Sequence, residues 1–168
     1  MSNTIPRVKS VTAAKSPWTL NVEWNDGTKS RVDLTGLVHS SRHFSVFADD
    51  PVAFRAVQPD EFGSGIEWKN GLDYAAATLK MLAEEQKPVK GKHLRVFESR
   101  YKLNTKEVAR LFDVTTKTIS NYRELDELPK AFSIALKRFE HDPTAFAAHY
   151  RPVETKPRGR PKHTLRSK

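Results

Sequence analysis

The stretch Thr105-Lys106-Glu107-Val108-Ala109-Arg110-Leu111-Phe112-Asp113-Val114-Thr115-Thr116-Lys117-Thr118-Ile119-Ser120-Asn121-Tyr122 holds two short helix patterns separated by a turn. Asn104 or Thr105 can cap the first helix, with Glu107 in its first turn, and Thr115 or Thr116 can cap the second, which runs through Arg123. Apolar side chains recur at Val108, Phe112, Val114, Ile119 and Tyr122. Two helices meeting at a large angle bury those five in a shared wedge. Ala109 falls at the close crossing, which admits only a small side chain. Asp113 falls where the backbone must turn left-handed, a conformation that glycine adopts freely and aspartate at modest cost. With Ile119 and Tyr122 facing inward, Thr116, Lys117, Ser120 and Asn121 face outward.

On the N-terminal side of this pair, Leu94, Phe97 and Tyr101 predict an amphipathic helix from about Lys92 to Lys102. Before it, the charged stretch Glu84 to Lys92 is broken by Pro88 and Gly91, which places an interdomain linker at residues 87–92. On the C-terminal side, Glu124 to Pro129 reads as a loop. A helix follows with Ala131, Ile134, Leu136 and Phe139, and then Asp142-Pro143 with a short helix from Thr144 to Tyr150.

The segment from about residue 91 to 150 resembles the helix-turn-helix domain of the lambda-repressor-like, Cro/repressor-type DNA-binding family, with Asp113 where that family normally carries glycine. The resemblance implies that the second helix lies in a DNA major groove. Thr116, Lys117, Ser120 and Asn121 would then stand over base edges. Lys117 could donate to guanine O6 and N7, Asn121 could pair with adenine N6 and N7, and Thr116 could meet a thymine methyl or a phosphate. Thr105, Lys106 and Arg123 would contact phosphates and fix register. One such unit reads few base pairs, so a homodimer on a pseudo-palindrome is expected.

The charge distribution agrees in direction. The chain has 168 residues with 29 Lys+Arg, 20 Asp+Glu and a net charge of +9. Residues 1–88 carry ten basic and eleven acidic side chains, whereas residues 89–168 carry nineteen and nine. A polyanion partner is expected for the second half alone. Residues 152–168 are rich in proline and basic side chains, cannot bury a core, and are expected to be a disordered arm. Within them Pro157-Arg158-Gly159-Arg160-Pro161-Lys162 resembles the AT-hook. That resemblance implies Arg158, Arg160 and Lys162 along a narrow A·T-rich minor groove, with Gly159 close to its floor.

The first half reads as a small α+β domain over residues 1–86. Val8 and Val11 lie in a β-favouring run. Leu20, Val22 and Trp24 alternate with polar residues, Asn25-Asp26-Gly27 supplies a hairpin turn with left-handed residues, and Arg31 to Leu34 returns. A short helix carrying Leu37, Phe44 and Phe47 is expected to end at Asp49-Asp50-Pro51. Strands are expected at Phe54–Val57 and Ile66–Trp68, around a turn from Pro59 to Gly65. A further helix is expected from an Asp73 cap to about Glu85, burying Leu79 and Leu82. Trp24-Asn25-Asp26-Gly27, Val32-Asp33-Leu34, Phe54-Arg55-Ala56-Val57 and Trp68-Lys69-Asn70-Gly71-Leu72-Asp73 together resemble a small, uncharacterised bacterial domain family, with Lys69 where that family carries proline. Its association with toxin–antitoxin gene pairs implies a protein partner.

Cysteine is absent, which excludes disulfides, thiolate zinc sites and cysteine nucleophiles. Met1 to Ser10 carries no apolar targeting core, so a soluble cytoplasmic protein without membrane contact is expected. His39 and His43 stand at helical spacing with Asp49 and Asp50 nearby, but no third ligand is fixed, and no metal or cofactor is expected. Gly63-Ser64-Gly65 lacks the nucleophile-elbow pattern, and catalysis is not expected. The sequence therefore predicts an α+β domain, an all-α helix-turn-helix domain over 93–151 and a basic tail. The expected function is that of a double-stranded DNA-binding transcriptional repressor. The alternative is an antitoxin-type protein whose first domain binds a toxin or other protein while its second half autoregulates the operon.

Overall fold

The computed structural model describes residues 5–153, and the chain divides into two compact units, Met1–Lys87 and Pro88–Lys168. The tail residues Arg158, Gly159, Arg160 and Lys162 lie outside the described residues.

The first unit holds two three-stranded antiparallel sheets. Strands β1 (Val8–Ala13), β2 (Thr19–Trp24) and β3 (Lys29–Asp33) pair in that order. Their alternation buries Leu20, Val22, Trp24 and Val32 on one face. Val8 and Val11 share that face despite an odd spacing, because the register shifts between Val8 and Ser10. In the β2–β3 turn Gly27 alone takes a positive φ, 79°; Asp26 instead accepts hydrogen bonds from the Thr28 N–H at 2.8 Å and its hydroxyl at 2.5 Å.

As expected, Asp49-Asp50-Pro51 ends one helix, and Asp50-Pro51 also starts the next. The Asp50 carboxylate accepts from the Ala53 N–H at 2.9 Å, and proline fits the first helical position, which needs no N–H donor. Of the residues expected as the strand Phe54–Val57, Phe54 and Arg55 therefore belong to helix α3 (Pro51–Arg55), and Ala56 is its C-cap. The helix expected before it is divided into α1 (Thr35–Ser40) and α2 (Val46–Asp49). The second sheet contains β4 (Gln58–Pro59), β5 (Gly65–Glu67) and β6 (Asp73–Ala75). Asp73 is thus a strand residue rather than a helix cap, and α4 (Ala76–Gln86) begins three residues later. Phe44, Phe47, Phe54 and Trp68 form the aromatic centre of this unit, with Phe47 and Trp68 rings 5.0 Å apart. The Trp68 indole N–H donates to the Phe54 carbonyl at 2.8 Å, which satisfies the one polar atom of a buried ring.

The described residues of the second unit form helices α5 (Gly91–Tyr101), α6 (Thr105–Leu111), α7 (Thr116–Tyr122), α8 (Lys130–His141) and α9 (Pro143–His149). Leu94, Phe97, Val108, Ile119 and Leu136 are fully buried at its centre. Phe132 joins them while Ile134 faces solvent at 58% exposure, so α8 uses a different stripe from the one spaced by Ala131 and Ile134. The stretch read as a linker also contributes to this core. Val89 is buried, its carbonyl accepts from the Leu128 N–H at 2.7 Å, and α5 begins at Gly91. A Cβ on Gly91 would stand 2.6 Å from the Arg123 carbonyl, so glycine is required by close backbone approach.

Candidate nucleic-acid interface

Local chemistry sets both ends of the α6–α7 pair. Asn104, rather than Thr105, caps α6: its Oδ1 accepts from the N–H groups of Lys106 at 3.0 Å and Glu107 at 3.1 Å. In return the Asn104 N–H donates to Glu107 Oε2 at 2.9 Å, completing a capping box. Thr115, rather than Thr116, caps α7 by accepting from the Thr118 N–H at 3.0 Å. Between the helices Asp113 has φ 53°, the left-handed conformation expected there. The Val114 N–H donates to the Ala109 carbonyl at 2.9 Å and closes the turn against the small residue.

Val108 and Ile119 are fully buried and Ala109 is 5% exposed. Phe112, Val114 and Tyr122 are half-buried at the margin of the wedge. Phe132 from α8 covers two of them, stacking on Phe112 at 4.1 Å and meeting Tyr122 edge-on at 5.0 Å. The rotational setting of α7 follows from these contacts. Thr116, Lys117, Ser120 and Asn121 are all exposed. The Ser120 hydroxyl donates to the Thr116 carbonyl of its own helix at 3.0 Å. Among the described residues, the side chains of Lys117 and Asn121 have no hydrogen-bond or ion-pair partner.

Arg123 departs from expectation. Its guanidinium turns inward, where Nε and Nη2 donate to the Glu98 carboxylate at 2.8–3.1 Å and Nη2 donates to the Thr105 hydroxyl at 2.8 Å. The Arg123 and Glu98 side chains are only 19% and 12% exposed. A half-buried, multiply bonded arginine ties α5 to the start of α6 and the end of α7. It therefore leaves the set of candidate phosphate contacts, and the Thr105 hydroxyl leaves with it. Lys106 stays exposed and, among the described residues, its ammonium has no partner.

Glu107 has a second role that sequence reading missed. It is 8% exposed, and its Oε1 accepts from the Tyr150 hydroxyl at 3.0 Å and the Val153 N–H at 3.4 Å. The Asn104 N–H, followed by the Tyr150 hydroxyl and the Val153 N–H, holds this carboxyl below the usual carboxylate range, against the opposing effect of burial. The same contact pushes the Tyr150 phenol up. The capping-box spacing points to Oε2, but nothing local points to Oε1.

Other features carry less chemistry. Among the described residues no group of three or more His, Asp or Glu side chains is placed to hold a metal ion, and His39 lies edge-on to Trp18 at 6.5 Å. No helix among the described residues is long and apolar enough to cross a membrane.

No protein-family model and no curated protein matches this chain. Among solved structures, the crystal structure of a candidate DNA-binding protein from Nitrosomonas europaea ATCC 19718 is similar at 21% identity. The match covers 91% of this chain and 94% of that one, with a TM-score of 0.44. A likeness at that level establishes neither family nor function.

Proposed function

We propose that the second unit is a helix-turn-helix module that reads double-stranded DNA, and that the chain is a transcriptional regulator without enzymatic activity. The observation that carries this reading is the projection of Lys117 and Asn121, both unpartnered among the described residues, from the open side of α7. The opposite side of that helix is locked by Ile119 against Val108 and Ala109. An ammonium suits the acceptor pair of guanine and a carboxamide suits the acceptor and donor of adenine. Thr116 stands at the groove-entering end, while Ser120 can reach a base once its bond to the Thr116 carbonyl is exchanged. Lys106 serves the phosphate backbone. The seven-residue α7 spans few base pairs, which favours a homodimer on an inverted repeat. Repression is what the Cro/repressor-type resemblance implies.

Selection of bound fragments from a random duplex pool tests the reading. The expected result is a short motif recovered twice in inverted order. Recovery without any sequence preference overturns base reading by α7.

A protein-contacting role for the first unit is favoured by exposed apolar side chains, Val46 at 51% and Val52 at 76%, on adjacent short helices. The antitoxin-type alternative belongs to that surface. Co-purification of a small protein lost on Val52→Asp supports it, whereas purification of the chain alone from its native host opposes it.

A further inference from the structure

Resting on the homodimer proposed above, we infer that the first unit carries its pairing surface: Phe62 of one copy seats in the groove beside Arg7 and Glu61 of a second copy, and the reverse, about a two-fold axis. The loop between β4 and β5 is held in one backbone shape. Asp60 Oδ1 accepts from the N–H groups of Phe62 at 3.0 Å and Ser64 at 2.8 Å, and Oδ2 accepts from the Ser64 hydroxyl at 2.6 Å. The Gly63 carbonyl accepts from the Val8 N–H at 2.7 Å, and the Phe62 carbonyl from the Arg7 guanidinium at 2.6 Å. Gly63 has φ 66°, and a Cβ there would stand 2.5 Å from the Val8 carbonyl oxygen, so this approach requires glycine. A loop fixed at so many points nevertheless leaves Phe62 69% exposed, and Ile5, two residues before Arg7, is 72% exposed. The fold gains little from an aromatic ring held in water. A partner meets in it a rigid apolar anchor that costs little entropy to dock.

Beside the ring lies an open groove of about 520 Å³ lined by Arg7, Lys9, Asn25, Pro59, Asp60 and Glu61. Most of its polar groups are committed within the unit. Lys9 pairs with Glu23 at 2.6 Å, Asn25 Oδ1 accepts from the Arg7 N–H at 3.1 Å, and Asp60 holds its own loop. Two charged groups keep open positions. Arg7 spends one guanidinium nitrogen on the Phe62 carbonyl, and the others have no partner among the described residues; the exposed Glu61 carboxylate has none either. An acidic partner would oppose Glu61 and a basic partner would oppose Arg7. A second copy turned about a two-fold axis brings Arg7 to Glu61 twice and Phe62 to the groove twice, as an isologous interface requires.

The test measures the oligomeric state of the full chain by sedimentation equilibrium, without DNA. The unaltered protein is expected to be a dimer, and Phe62→Asp is expected to raise the dimer dissociation constant about thirtyfold or more. Arg7→Glu and Glu61→Arg are each expected to raise it about tenfold, because each sets like charges against one another at both symmetric contacts. Mixing these two single variants is expected to restore pairing, since both contacts in the mixed dimer are then opposite in charge. All three changes fall on exposed side chains, and the thermal melts are expected to match that of the unaltered protein. A monomeric unaltered chain overturns the pairing surface, as does a monomeric chain that retains a different protein through Phe62. A dimer left intact by Phe62→Asp pairs elsewhere and overturns it too. A mixture no tighter than either variant alone removes the Arg7–Glu61 contact, and with it the second copy as occupant. Failure of the DNA reading is seen separately: a dimer lost on Phe62→Asp, in a chain without sequence preference on duplex, keeps this surface and removes that reading.

Discussion

The two units handle their acidic side chains differently. In the first unit surface charges are matched in the open: Glu23 meets Lys9 at 2.6 Å and Lys29 at 3.8 Å, while Asp26 and Asp60 organise turns. In the second unit several carboxylates face the scaffold, whereas Asp113, Glu124, Asp126 and Glu127 are exposed. Glu98 holds Arg123, Glu107 holds the α6 cap and Tyr150, Glu140 meets His93 at 2.9 Å, and Asp142 caps α9. These four acids are committed to the scaffold, while Lys106 and Lys117 stay exposed on α6 and α7, with the exposed Asp113 in the turn between the helices. Where the negative charges point therefore matters as much as how many basic residues there are.

The comparison breaks most sharply at the two cores. Phe47 and Ile119 are each fully buried in their own unit. Phe47→Ala is expected to cost about 3–5 kcal/mol and Ile119→Ala about 2–5 kcal/mol of unit stability, read by denaturant titration. Duplex binding is expected to survive the first change and to vanish with the second. Loss of binding in both would show that the units do not act independently.

Arg123→Ala separates a structural arginine from a phosphate contact. Stability of the second unit is expected to fall by about 2–3 kcal/mol through loss of charge-assisted hydrogen bonds. Lysine is expected not to restore it, since an ammonium cannot span Glu98 and Thr105 as the guanidinium fork does. Unchanged stability with a salt dependence reduced by about one phosphate contact would return Arg123 to the DNA backbone.

Asn121→Ala should leave the melting curve in place and cost about 1–3 kcal/mol of binding at the preferred site. A competition series on single-base variants reads the relaxed preference, and equal loss on every sequence would confine Asn121 to backbone contact. The smallest effect is expected from Asp113→Gly. Glycine relieves the left-handed φ but loses more entropy on folding, so the net change in unfolding free energy should stay within about 1 kcal/mol. A loss well beyond that would mean that the aspartate side chain itself stabilises the turn.

Much of the second unit was legible in the order of its residues. The spacing of Val108, Ala109, Ile119 and the turn at Asp113 depends on helix period and backbone sterics, which act over a few residues. The same locality made Lys117 and Asn121 identifiable as outward positions. Short-range cues were incomplete where one position serves twice: Asp50-Pro51 closes α2 as expected and also opens α3, through the Asp50 hydrogen bond to the Ala53 N–H. Asp73 failed as a cap because its backbone is committed to pairing with Glu67 in the second sheet.

What the sequence determined by itself, then, was the set of local patterns: helix faces, cap chemistry, the left-handed turn and the charge asymmetry between halves. Only the tertiary structure decided which polar side chains remain available. Arg123 is taken by Glu98, 25 residues away, and Glu107 by Tyr150, 43 residues away. Such pairings follow from how whole helices pack, and no periodicity within one helix encodes them.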